Sequence, residues 1–96
     1  MAIEVQLRDE FGGVLDAPLE AFLESNEIPW DDPRFPSLRW LDAYGNTTFG
    51  RVRMEVVLPE LERFVTTLPK DRAQAILRLA KRCAREVHTY LVFHGD

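Results

Sequence analysis

The sequence predicts an α+β fold, a single small domain over residues 1–96 in which a mostly antiparallel sheet of three to five strands is covered on one face by helices. Three observations lead there. Ala73, Ile76, Leu77, Ala80, Cys83, Ala84 and Val87 recur at steps of three and four, which lays an apolar stripe along a helix whose other face carries Gln74, Arg78, Lys81, Arg82 and Arg85. Near the start, Ile3, Val5 and Leu7 alternate with Glu4, Gln6 and Arg8, the period of a strand with one wet face. From Val87 to Phe93 the chain is rich in β-branched and aromatic residues, which suits a terminal strand packed beneath the helix before it.

The remaining elements follow in order. Asp9-Glu-Phe-Gly-Gly supplies turn residues, and Val14-Leu15 returns as a short hairpin partner. Asp16 and Pro18 read as the start of a short amphipathic helix from Pro18 to about Ser25, with Leu19, Phe22 and Leu23 on one face, Glu20, Glu24 and Glu27 on the other, and Asn26 as its stop. Ile28 to Leu38 holds three prolines, which block helix and central strand alike and imply an ordered extended loop. Leu38–Tyr44 and Thr47–Val57 read as a hairpin closed by Gly45-Asn46, with a bulge near Gly50 restoring its phase. Pro59 opens a helix that runs to Thr67, and Leu68-Pro69-Lys70-Asp71 breaks it, with Asp71 capping the long helix.

Composition narrows the function. No apolar run approaches the roughly 20 residues of a membrane span, and the N-terminus lacks a basic stretch followed by an apolar block. With one cysteine, on the buried stripe, the expectation is a reduced, cytoplasmic protein with a packed thiol. The formal charge of −4 is unevenly spread. Residues 1–32 carry nine acids against Arg8 alone, a balance of −8, and residues 33–96 carry +4. The basic residues form no single block, so nucleic acid is an unlikely partner on this pattern.

Chemistry-bearing motifs are sparse. There is no glycine-rich phosphate loop, no His-Glu-x-x-His, no Cys-x-x-Cys and no Gly-x-Ser-x-Gly elbow. Cys83, His88, His94 and Asp96 come nearest to a metal set, with His88 and His94 expected on one face of the last strand, but their spacing fits no zinc pattern. The carboxylate pairs Glu20/Glu24 and Asp31/Asp32 read as solvated, without the apolar enclosure that separates the pKa values of an acid–base pair. No cofactor, metal or catalytic residue is assigned.

Leu41-Asp-Ala-Tyr-Gly-Asn-Thr and His88-Thr-Tyr-Leu-Val-Phe-His-Gly-Asp give the C-terminal half a likeness. The chain here resembles small uncharacterised bacterial proteins with an Asp-x-Tyr-Gly-Asp/Asn-Thr turn and a closing His-x-Tyr-Leu-x-Phe-x-Gly-Asp. The resemblance implies no activity, and Asn46 stands where an aspartate is usual.

The sequence therefore points to a non-enzymatic protein-binding module, of the kind an immunity or antitoxin-like inhibitor would be, offering an acidic surface to a basic protein. Its expected contact residues are Glu20, Glu24, Glu27, Trp30, Asp31, Asp32 and Phe35, with the acids steering association and the two rings either displayed as anchors or folded inward to cap the small core. The alternative is a self-assembly module, a homodimer joined through the proline-rich loop or a strand edge.

Overall fold

In the computed structural model, which describes residues 2–95, the alternation near the start becomes strand β1 (Ala2–Asp9). Ile3, Val5 and Leu7 are buried and Glu4 is exposed, but Gln6, expected on the wet face, is buried as well, its amide donating to Glu4 and its Oε1 accepting from Arg8. Asp9 then forms the turn: its Oδ1 accepts from the N–H groups of Phe11 and Gly13, and Gly12 takes φ +85°, where only glycine is unstrained. The chain returns as β2 (Val14–Asp16), with a register shift between Leu7 and Arg8.

A second short strand, β3 (Phe22–Glu24), pairs with the opposite end of the same flank of β1. The helix expected from Pro18 to Ser25 does not form. Ala21 and Leu23 are buried while Glu20 and Glu24 are exposed and Phe22 is half-buried, a period of two, Leu19 before them is 93% exposed, and the Val5 N–H donates to Ala21 O. Backbone pairing with β1 satisfies groups that an isolated helix of that length would leave marginal. A 3-10 turn, Ser25–Glu27, follows.

The expected hairpin is also absent. Leu38–Trp40 is a 3-10 turn, and β4 (Asn46–Gly50) pairs with the terminal strand, β5 (Thr89–His94), in antiparallel register from Asn46↔His94 to Gly50↔Tyr90. Beyond Gly50 the chain turns helical at once, through a 3-10 turn at Arg51–Arg53 into α1 (Met54–Phe64). Met54, Val57, Leu61 and Phe64 are its buried stripe, so the alternation of Val52, Met54 and Val56 was the edge of a helical pattern, and Pro59 lies inside the helix on its exposed side.

Helix α2 (Lys70–Arg85) forms where the apolar stripe implied. Ile76, Leu79, Ala80 and Cys83 are buried, with Ala73, Leu77 and Ala84 packed at the margin; Leu79 joins the stripe, and Val87 lies beyond the helix, exposed. Pro69, not Asp71, occupies the cap position, and Asp71 sits in the first turn, where its charge suits the helix dipole. His88 then reverses the chain into β5 at φ +59°.

The sheet order is β2-β1-β5-β4, with β3 beside β1 as well, and every pairing is antiparallel. Both helices pack on one face, against Ile3, Val5, Leu7, Phe49, Leu91 and Phe93, with Phe49 and Phe93 meeting edge-on at 5.8 Å. Among the described residues no helix is long and apolar enough to cross a membrane.

Candidate protein-docking surface

The seven contact residues expected from sequence do not form one outward surface. Glu20 is exposed in the turn before β3, beside Pro18 and the α2 residues Asp71, Gln74 and Arg78. Glu24 and Glu27 are joined instead in a reciprocal cap of the 3-10 turn: the Glu24 side chain accepts from the Glu27 N–H, and Glu27 Oε1 from the Glu24 N–H at 2.8 Å. Glu27 is also held bidentately by Arg72, at 2.7 and 2.8 Å, and this hydrogen bonding lowers its carboxyl pKa. Arg72 in turn donates to Phe22 O and lies 4.6 Å from the centre of the Phe22 ring.

Asp31 is exposed, whereas Asp32 grips Arg34 at 2.7 Å and has its pKa pulled down to about 2 by that hydrogen bond. Phe35 is not an outward anchor. It is 8% exposed and packs edge-on against Phe64 at 5.6 Å, because a domain of this size needs the burial a large ring supplies. Trp30 is 45% exposed, and its indole N–H donates to Leu41 O at 3.1 Å.

That hydrogen bond brings Trp30 to the stretch around the Leu41–Thr47 motif, whose rings were not among the expected contact residues. Trp40 is 74% exposed and Tyr44 76%, on either side of Leu41, just before β4. Exposure on this scale is a tertiary property, and both rings fit an ordinary half-buried strand as sequence. Val52 and Val56, just after β4, are exposed too.

The stretch is held firmly. At its start Glu60 of α1, 2% exposed, accepts through Oε1 from the N–H groups of Ser37 and Leu38 at 2.9 and 3.1 Å, fixing the turn that carries Trp40. The Arg39 guanidinium lies 5.3 Å from the Trp40 ring centre. At its end, Asp42 Oδ1 accepts from the Tyr44 N–H at 2.8 Å, and Thr47 Oγ1 accepts from the Asp42 N–H at 3.1 Å. The closing motif of the chain locks the same turn. Gly95 N–H donates to Gly45 O, His94 Nδ1 lies 2.6 Å from Asn46 Oδ1, and a Cβ on Gly95 would sit 2.5 Å from Ala43 O. The two stretches behind the bacterial resemblance thus meet as one piece of turn architecture.

Beyond Tyr44 lies the free edge of the sheet. Since Gly45 accepts from Gly95, alternation turns the N–H and C=O groups of Thr47 and Phe49 toward β5 and those of Asn46, Thr48 and Gly50 away from it. Asn46-Thr-Thr-Phe-Gly carries no charge, proline or bulge to discourage pairing. Arg51 and Arg53 are exposed beside it, with no ion pair among the described residues.

The residues considered for other chemistry are separated. Cys83 is buried with Sγ near Thr89 O and Phe49 O, and burial raises its thiol pKa, which suppresses nucleophilicity. His88 precedes β5 and contacts Glu10 at 3.2 Å, so it does not share a strand face with His94; Asp96 lies outside the described residues. Among the described residues, no three of His, Cys, Asp and Glu are placed to hold a metal ion. Compared with protein-family models, curated proteins and solved structures, the chain finds no match.

Proposed function

We propose that the protein is a non-enzymatic protein-binding module whose partner docks on the β4 edge and the rings beside it. One observation carries the reading: Trp40 and Tyr44 stand 74% and 76% exposed on a backbone fixed by Glu60, Asp42, Thr47 and Gly95, at the head of a strand with one open edge. Large rings carried on a fixed backbone gain much on being covered, since little backbone entropy remains to be lost. A strand edge adds main-chain hydrogen bonds to that contact.

The acidic side of the molecule supports a basic partner less well. Glu27 and Asp32 are neutralised by the chain's own Arg72 and Arg34, and Phe35 is inside. An inhibitor of the immunity or antitoxin kind would on this reading bind its target through Trp40, Tyr44 and the strand beside them. The test is capture from the native host's lysate with the wild-type chain and with Trp40→Ala/Tyr44→Ala. Loss of the captured protein at an unchanged melting temperature supports the reading; equal capture by both chains refutes it.

A further inference from the structure

We infer that the occupant of this edge is a second copy of the chain, paired β4 to β4 in antiparallel sense about a two-fold axis at Thr48; this rests on the docking surface proposed above. Thr48 is the middle residue of β4, and its N–H and C=O face outward. An axis there sets Thr48 against Thr48 of the second copy and Asn46 against Gly50 of the second copy. All the outward backbone groups of the strand then find partners, and one sheet runs through both molecules.

What flanks the strand is self-complementary in the same register. Trp40 and Tyr44 lead into β4 at one end, and Val52 and Val56 follow it at the other, all four exposed. Antiparallel pairing brings the rings of each copy beside the valines of the other, twice, as an isologous contact requires. Charge agrees with this. Asp42 is exposed at the ring end, and Arg51 and Arg53 are exposed at the valine end. In the antiparallel arrangement each Asp42 approaches the arginines of the other copy. A parallel arrangement would set arginines against arginines, a repulsion that selects against it.

The opposite flank of the sheet explains why assembly stops at two copies. It is divided between β2 and β3, three residues each, and β2 is displaced by a register shift, so it offers no continuous edge. One usable edge per molecule closes the assembly as a dimer.

Sedimentation velocity over a wide concentration range, combined with thiol cross-linking, tests the inference. Thr48→Cys places two thiols on residues with Cα atoms about 5.5 Å apart, within disulfide reach, whereas Asn46→Cys sets its two copies about 13 Å apart. Native Cys83 is buried and does not compete. The expected result is a concentration-dependent dimer, fast oxidation of the Thr48→Cys chain to a covalent dimer, slow oxidation of Asn46→Cys, and a dimer Kd raised about 25-fold or more by Trp40→Ala/Tyr44→Ala. A monomer at every concentration, or equal cross-linking at the two positions, overturns it. If the chain is monomeric but the double variant still loses a captured host protein, the self-pairing falls and the docking surface stands. If neither self-association nor capture depends on the rings, both fall.

Discussion

Replacing Glu60 probes the link between core and surface most directly. Its carboxylate is buried at 2% exposure, and Oε1 alone receives the Ser37 and Leu38 N–H groups; Oε2 has no hydrogen-bond partner among the described residues. Glu60→Ala removes the acceptor of two backbone donors. Each N–H left unsatisfied costs about 1 to 3 kcal/mol, and losing the desolvated carboxylate returns part of that. The expected net loss is about 2 to 4 kcal/mol. Glu60→Gln keeps an oxygen for both donors, forfeits the charge assistance and sets its amide N–H groups where Oε2 has no partner, so it should cost about 1 to 2 kcal/mol, less than Glu60→Ala.

Urea unfolding followed by circular dichroism gives the two stabilities, with an unchanged m-value licensing the comparison. Amide hydrogen exchange supplies a local readout: Ser37 and Leu38 should exchange faster in Glu60→Ala and stay protected in Glu60→Gln. The rings should follow, because the turn they freeze carries Trp40, so Glu60→Ala should also weaken docking. A stability loss under about 0.5 kcal/mol, the level of an ordinary surface substitution, or unchanged exchange at both amides, would refute the assignment of Glu60 as the anchor of this turn.

Three other outcomes are expected. Phe35→Ala, which empties a site against Phe64, should cost about 3 to 5 kcal/mol in urea unfolding, whereas Trp40→Ala in dilute protein should stay within about 1 kcal/mol; reversal of that order would mean the two rings had been assigned to the wrong environments. Glu27 has a folded-state pKa below its ordinary value of 4.5 because Arg72 hydrogen-bonds its charged form, so the pair's stabilisation is present above that value and lost as pH falls through the folded one; melting curves at about pH 6 and pH 3 should show a larger acid loss in wild type than in Glu27→Gln, and parallel losses would exclude the linkage. Cys83, buried and with a raised thiol pKa, should react with a thiol reagent in urea but only slowly in the native protein, and fast native labelling would show that the thiol is not packed as described.

Where the sequence carried a strong local period, it was sufficient. The Ile3–Arg8 alternation and the Ala73–Ala84 stripe became β1 and α2, because spacing and propensity agree in each case; burial follows them except at Gln6, which is covered although its position is on the polar face. Residues 18–25 misled because Leu19, Phe22 and Leu23 have helical spacing, and only the open flank of β1, a distant element, makes the extended form better. The Val52–Val57 stretch misled in the opposite sense: three alternating residues are too few to separate strand from the first turn of a helix. Glu60 and Trp40 were invisible for a common reason. Sequence assigns a glutamate outward and a tryptophan inward by default, and here the need to cap a buried turn reverses both.

The lopsided charge along the chain was read as a partner signal, and the fold gives it another use. Asp16 meets Arg78 and Arg82 at 3.3 and 3.4 Å, Glu27 meets Arg72, and Glu10 meets His88, so acids from the first third close onto α2 and the turn that follows it. Each contact is partly or largely exposed and individually weak, yet all join segments far apart in sequence. Parallel or displaced packing of the N-terminal third would set its acids against one another or against open solvent, so the pattern favours one seating of that third over its alternatives. Arg51 and Arg53 have no such counterpart among the described residues, and they stand beside the bare strand. These two basic side chains therefore lie where the exposed rings and the open backbone already are. A docking partner at that edge must answer basic side chains as well as aromatic ones, a condition that the exposed Asp42 of a second copy meets.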